Sequence, residues 1–559
     1  MDSVGRDQHR PDDTRARTGG QVLVDTLIAE GVELAFCVPG ESFLGALDAM
    51  HDVQDRLRLI VCRHEASATN MAEAVGKLTG RPGVCFVTRG PGSSHAAIGV
   101  HTAQQDSTPL VLFVGQAERG HLLREAFQEV DYGQMYGKFA KWVVQIDDPE
   151  RIPELVSRAF HLAVNGRPGP VIVALPEDVL RAPCAGIPPS TYRRASAAPS
   201  ATALDELATL LRRAERPLLV LGGGGWDVDA VRRMRGFAER ARLPATVGFR
   251  CQDLFDNTHA HYVGDLGLGT DPALAAMVRE ADLLVVVGER LGEASTKGYT
   301  LIDLPRPRQK LVHVHPSPDE LGIVYQGDLL IAATPRDFAA AVTGLELGPV
   351  PDRGDWIRQG RQAYERKVTP KPSGLRVDVA EVVKYLRETL PDDAIITNGA
   401  GTYTGYVHRY YLYRAFRTQL APTSGAMGYG FPAAIAAKLV HPDRPVVCFA
   451  GDGCFLMASH ELATAARYDL PVIVVLVNNS SYGSIRMHQE RAYPGRVFAT
   501  DLNNPDFVAL ARAYGAHGET VASTADFPAA FERALASRRA SLLELKVDMA
   551  AIVAANPRR

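Results

Sequence analysis

The sequence predicts an α/β protein of three consecutive domains, each a parallel sheet covered by helices, and three observations predict it. Short apolar, β-branched runs alternate with Ala-rich segments of helical period. Several runs end in glycine, as a strand does where it turns into a covering helix. Two stretches rich in proline and polar residues, 183–199 and 345–374, break the alternation and read as linkers. Length agrees, since 559 residues are too many for one hydrophobic core.

Residues 1–18 are polar and Arg-rich and read as a disordered tail, and their four aspartates argue against a transit peptide. The first domain, 19–182, carries runs at 59–62, 84–88 and 110–114. The second, 200–344, opens with an apolar run at 217–221 followed by four glycines and has a second such run at 281–288. The third, 375–548, has runs at 394–397, 446–449 and 472–477, and 549–559 reads as a second tail.

A formal net charge of −3, with both signs spread along the chain, leaves no electrostatic footprint for nucleic acid or an anionic membrane, so small-molecule substrates are expected. No apolar stretch is long enough to cross a bilayer and no signal-peptide core follows Met1. The seven cysteines are scattered, mostly in apolar runs, without a CxxC pair, which predicts reduced, buried thiols and a cytoplasmic protein.

The segment most informative about chemistry is Gly451-Asp452-Gly453 after one buried run, with Asn478-Asn479 after the next. In an open parallel sheet the carboxyl ends of strands share a crevice, so Asp452 and Asn479 can meet there. Flanking glycines let backbone approach a phosphate, and a helix start offers unpaired N–H groups. An Asp, an Asn amide oxygen and a backbone carbonyl suit Mg²⁺ with room for a diphosphate. A tight Gly-Asp-Gly turn and a strand-closing Asn pair account for the same residues equally well.

That pattern, with Glu461-Leu-Ala-Thr-Ala-Ala-Arg-Tyr-Asp-Leu-Pro471 beyond it, resembles the thiamine-diphosphate enzymes of the acetolactate synthase and pyruvate oxidase type, and similarity to acetolactate synthase large subunits runs over about residues 19–548. The resemblance implies a pyrimidine-binding first domain, a Rossmann-like central domain and a diphosphate-binding third domain. It assigns the metal to Asp452, Asn479 and the backbone oxygen of Ser481, and the diphosphate cradle to Gly401, Thr402, Gly451, Gly453 and Cys454. Met427, in Pro422-Thr-Ser-Gly-Ala-Met427, becomes the wedge that bends the cofactor, and the carbonyl of Gly425 accepts from the aminopyrimidine.

In Cys62-Arg-His-Glu65 the resemblance makes Glu65 the carboxyl that hydrogen-bonds the pyrimidine, so that the cofactor's own amino group can take the thiazolium proton. Glu65 and Asp452 then meet across a subunit boundary, in a homodimer or homotetramer. Arg89-Gly-Pro-Gly92 and Ala126-Phe-Gln-Glu129 match further family segments, and the second places Phe127 and Gln128 beside the substrate. The implied activity is decarboxylation of a 2-oxo acid such as pyruvate and ligation to a second 2-oxo acid or aldehyde. The alternative is a 2-oxo acid decarboxylase or a 2-hydroxyacyl or benzaldehyde-lyase-type C–C lyase.

Some positions depart from the family. Glu41, in Pro39-Gly-Glu-Ser42, replaces a glycine, where it is placed to carry a proton or to serve only as a turn residue. His488 stands where a tryptophan shapes the acceptor pocket. The glycine run after Leu221 resembles the FAD-binding run, but Gly288-Glu-Arg-Leu-Gly-Glu-Ala294 and His315 differ from the flavin pattern. An empty or differently occupied central crevice is therefore the default expectation, ahead of FAD. A nicotinamide or flavin dehydrogenase is disfavoured because Asp227 takes the third fingerprint position, and a non-catalytic relative because Glu65, Asp452 and Asn479 are all present.

Overall fold

A computed structural model describes residues 17–548 apart from 186, 187, 190 and 372. Three six-stranded sheets run through them, all with parallel pairing. Across the first lie Arg58–Val61, Leu34–Cys37, Gly83–Val87, Leu110–Gln116, Pro170–Pro176 and Trp142–Gln145. Across the third lie Gln419–Leu420, Ile395–Asn398, Val446–Gly451, Ile473–Asn478, Ser541–Lys546 and His517–Val521. Numbered by chain order within its own domain, each reads 2-1-3-4-6-5.

The middle sheet runs Tyr262–Asp265, Ala245–Val247, Pro217–Leu221, Leu283–Val287, Lys310–His315 and Leu329–Ala332, the doubly wound 3-2-1-4-5-6 order. Helices cover both faces of the sheets, which is why inner strands such as Ile473–Asn478 are buried throughout and read as unbroken apolar runs.

Both ends of the first domain are tied in more firmly than a tail and a linker would be. Arg17–Thr18 pairs antiparallel with Pro183–Cys184, taking two residues from the expected tail 1–18 and two from the expected linker 183–199. Thr18 then caps the helix Gly19–Ala29 in a capping box with Gln21, a Thr-x-x-Gln pattern present in the sequence. Residues 1–16 and 549–559, expected as tails, lie outside the described residues.

The expected linker 345–374 is corrected further, because it contains the 15-residue helix Gly354–Val368. Trp356, Gly360, Tyr364 and Val368 recur every fourth residue on its buried face, against Tyr262–Asp265 and the helix Pro272–Glu280. The many charges on the other faces mask that stripe in composition. Arg353, just ahead of the helix, is 1% exposed. Its guanidinium donates to the carbonyls of Leu211, Ala214 and Ala241, closing the carboxyl ends of the helices Ala201–Arg213 and Val228–Arg240.

The first and third domains share one apolar core, in which the helix Glu65–Thr79 packs on Gly430–Val440 through alanines such as Ala68, Ala72, Ala433 and Ala437. A buried polar seam runs beside it. Tyr429 donates to Glu73 Oε2 at 2.6 Å, and Lys77 pairs with Asp106 while donating to the Ala421 carbonyl at 2.9 Å. Asp106 also accepts from the Thr423 amide at 2.6 Å.

Burial, with the Asp106 charge adding, pushes the Glu73 carboxyl up to about 7 from the ordinary 4.5, against the opposing pull of Lys77. Between those values the unfolded chain releases a proton that the folded chain keeps, so the stability contributed by Glu73 falls as pH rises from about 4.5 to about 7. Glu73→Gln keeps an acceptor for Tyr429 and removes the ionisation. Its melting temperature, taken relative to the parent chain, should climb across that interval and level off above it. A pH-independent difference would show that Glu73 is ionised in the fold.

Candidate functional site

At the carboxyl edge of the third sheet, Gly451 is in register with Val477, so Asp452 and Asn478 leave their strands side by side. Asn504 joins them, donating from Nδ2 to Asp452 Oδ2 at 2.8 Å and to Asn478 Oδ1 at 3.0 Å. Asp452 Oδ1 accepts from the Gly453 amide at 3.0 Å. Asp452 is 3% exposed, and among the described residues no Lys or Arg pairs with it.

An unpaired carboxylate buried to that degree costs several kcal/mol unless a cation neutralises it. Asn504 Oδ1 is likewise buried without a partner. Asn479, half-buried, turns Oδ1 to the Ser481 amide at 3.0 Å. The Ser481 backbone oxygen accepts from Gly483 at 2.8 Å and keeps a second lone pair. This all-oxygen set fits a hard divalent cation such as Mg²⁺.

Cys454 holds the neighbouring loops together, its Sγ accepting from the Gly428 amide at 3.3 Å and from Tyr403 Oη at 3.4 Å. Tyr403 Oη in turn accepts from the Gly399 amide at 3.1 Å. The ring explains two glycines, because a Cβ on Gly401 would lie 2.7 Å from it and one on Gly451 3.0 Å. Tyr482 stands equally close to Gly453, at 2.7 Å. Thr402 accepts from the Gly405 amide at 3.1 Å, keeping the turn after Ile395–Asn398 closed. Gly425 adopts φ +69 and is exposed, and Met427 is half-buried against the third domain's core.

On the first sheet, the adjacent strands Leu34–Cys37, Arg58–Val61 and Gly83–Val87 lead into Glu41, Glu65 and the Arg89 to Gly92 loop. Glu65 opens its helix after His64, whose Nδ1 accepts the Ala66 amide at 3.1 Å as the N-cap. The entry is anchored by the third domain: Glu461, 0% exposed, accepts from the Arg63 and His64 amides at 3.0 and 3.1 Å. Glu65 Oε2 lies 2.9 Å from His95 Nδ1 and forms no hydrogen bond with Asp452 or Asn479 among the described residues.

Gln128 is held at φ +62 with its carbonyl accepting from Gly90 at 2.9 Å, and Arg89 donates to the Phe127 carbonyl at 2.9 Å. The Phe127 side chain is exposed, as are Glu41, beside Ser42, and His488, on the helix Gly483–Ala492.

Four residues of the site carried no assignment from sequence. Glu461 lies within a recognised family segment, where nothing marks which residue reaches another domain. Asn504 shows locally only as an Asn-Pro turn pair. Tyr403 and His95 adjoin glycine-rich loops and have no signal of their own.

The central crevice opens where the middle sheet's order reverses, into a cavity of about 390 Å³ lined from all three domains by Lys77, Asp106, Gly223, Arg250, Glu289 and Arg417 among others. The carboxylate of Glu289 occupies the space that Cβ atoms on Gly222 and Gly248 would take. Burial raises its proton affinity, and Ser295 Oγ donates to it at 3.2 Å. His315, its imidazole pushed down to about 4 by burial, accepts the Ser317 amide at 3.1 Å. Gly222 is thus not open backbone, as a dinucleotide pyrophosphate requires.

Three family descriptions match in series: thiamine pyrophosphate enzyme, N-terminal TPP binding domain, over residues 17–135; the central domain over 204–342; and the C-terminal TPP binding domain over 399–545. The acetolactate synthase large subunit of Parasynechococcus marenigrum is 35% identical over 521 residues, covering 90% of this chain and 83% of that protein. The large subunit from Corynebacterium glutamicum is 32% identical over 516 residues, 89% and 81% of the two chains. Acetolactate synthase isozyme 2 large subunit of Escherichia coli is 30% identical over 535 residues, 95% of each. With all three domains matched in order and the relatives aligned over most of their length, the chain belongs to the acetolactate synthase large-subunit family of thiamine pyrophosphate enzymes.

Proposed function

We propose that this protein is a thiamine-diphosphate- and Mg²⁺-dependent carboligase that decarboxylates a 2-oxo acid, pyruvate first, and joins the retained acyl unit to a second carbonyl. The observation that carries the reading is Asp452, a buried carboxylate paired with no Lys or Arg among the described residues, in the domain that matches the C-terminal TPP binding domain. Bound thiamine diphosphate supplies an electron sink for the pair left when CO₂ departs. Asp452, Asn479 and the Ser481 backbone oxygen would hold the cation, with Asn504 orienting Asp452. Gly401, Thr402, Gly451, Gly453 and Cys454 would face the diphosphate, and Gly425 and Met427 the rings.

Glu65 would hold a proton against the pyrimidine, while Gln128 borders the substrate and excludes water. Because Glu65 makes no hydrogen bond with the third-domain ligands of its own chain, the reading places it against a second copy's Asp452, in a homodimer or a homotetramer. The seven cysteines are free thiols, which supports a reducing compartment such as the cytoplasm. Among the described residues no helix is long and apolar enough to cross a membrane.

Glu41, exposed at the strand end next to Glu65's, favours a second reading as a decarboxylase or C–C lyase, because an acid there is placed to return a proton. Incubation with thiamine diphosphate, Mg²⁺ and a panel of 2-oxo acids and aldehydes separates them. CO₂ with a hydroxyketone or 2-acetolactate is expected. CO₂ with free aldehyde alone would support the decarboxylase, and cleavage of hydroxyketones without CO₂ the lyase.

Two substitutions probe the residues. Glu65→Gln should bind the cofactor as before while turnover falls by about 10²-fold or more. Asp452→Ala should abolish the Mg²⁺-dependent heat of thiamine diphosphate binding in calorimetry, and retention of that heat would reject the metal assignment.

The Glu289 carboxylate over Gly222 supports a central crevice without flavin. Purified protein should show no visible flavin band, and a yellow preparation releasing FAD on denaturation would reverse this.

A further inference from the structure

Glu65 sits in a three-imidazole cluster built from the first and third domains. His95, on the helix Gly90–Asp106, brings Nδ1 to 2.9 Å from Glu65 Oε2. Its ring stacks on His64, with centroids 4.5 Å apart and planes at 30°. His460, from the third domain, lies against His64 with centroids 5.6 Å apart. His64 takes the Ala66 amide on Nδ1, so when neutral it carries its proton on Nε2. Burial holds both His64 and His460 below the ordinary histidine value, which keeps the middle and far ring of the stack uncharged near neutral pH.

With its proton on Nδ1, His95 donates to Oε2, and a proton held by Glu65 then sits on Oε1. The other oxygen, Oε1, lies on the side of Gly92, where an added Cβ would stand 3.5 Å from it, and the Glu65 side chain is only 12% exposed. His64, Glu65 and His95 are also close enough together to hold a metal ion. That reading fails on His64, because coordination through Nε2 would force its proton onto Nδ1, against the Ala66 N–H it already accepts.

We propose that His95 is a positioning residue: it ties down Oε2 of Glu65, with the His64 ring as its backing plate, so that Oε1 alone is presented to the aminopyrimidine. This rests on the reading of Glu65 given under the proposed function. His95 keeps its proton throughout and exchanges none with the ligand. The titratable groups around Glu65 are His95 from the helix Gly90–Asp106, His64 beside it, and the Cys85 thiol, which burial holds protonated, while His460 and Glu461 from the third domain pack against His64.

The experiment compares the parent with His95→Phe, His95→Gln and Glu65→Gln, in the holoenzyme with saturating thiamine diphosphate and Mg²⁺. His95→Phe should lower kcat about tenfold, the worth of one hydrogen bond, while the KM for the 2-oxo acid changes little. Losing a donor to the carboxyl raises its proton affinity, and Glu65 acts with its proton on, so the alkaline limb of the kcat profile should move to higher pH. His95→Gln, whose side-chain N–H can replace the donor, should recover most of both. If Glu65→Gln is inactive but His95→Phe matches the parent in kcat and pH profile, the positioning role is wrong. Equal losses in the Phe and Gln variants with an unmoved pH profile would also overturn it. Full turnover in Glu65→Gln would instead overturn the reading of Glu65 beneath it.

Discussion

The constraint on which the rest depends is the packing of one alanine-rich helix on another across two domains. The helix Glu65–Thr79 begins at the proposed catalytic carboxyl, and Gly430–Val440 follows directly on the loop that carries Gly425 and Met427. Small side chains let them approach closely, at the cost of leaving little apolar area per residue to hold them. The polar seam of Glu73, Tyr429, Lys77, Asp106 and Thr423 fills that deficit with directional bonds, and such a seam tolerates no sliding. Glu461 adds a second fixed point by accepting two amides just ahead of Glu65.

The first and third sheets share one strand order, so each presents its chemistry in the same place, at the carboxyl ends of its inner strands. They use that edge differently. The third domain buries oxygen ligands there and lines the loops with glycines kept bare by Tyr403 and Tyr482. The first leaves Glu41 exposed and Glu65 bonded to His95. The middle sheet has a different order, and Glu289 lies over Gly222 beside its switch-point cavity.

Much of this was legible in the sequence because the strands are buried on both faces and read as unbroken apolar runs, and because the residues proposed to hold a cation follow two of them. The helix Gly354–Val368 was not, since a stripe of one residue in four is outweighed by its charges and the prolines around it. The pairing of Arg17–Thr18 with Pro183–Cys184 was invisible for a different reason: two-residue strands have no periodicity, although the Thr18 to Gln21 capping box was there to be read. In the site, residues that act at the end of their own strand were nameable. Those that act on another loop or domain, Asn504, Tyr403, Glu461 and His95, depend on contacts between segments far apart in the chain.

Three of the departures from the family pattern, Glu41, Glu289 and His488, lie in the loops and helices that follow strands. Loop positions at the carboxyl edge can change side chain without repacking a core, so they are where one scaffold acquires different substrates. Glu41 is exposed at the strand end beside that of Glu65, so a change of side chain there alters the edge of the proposed site and leaves the buried strands as they are.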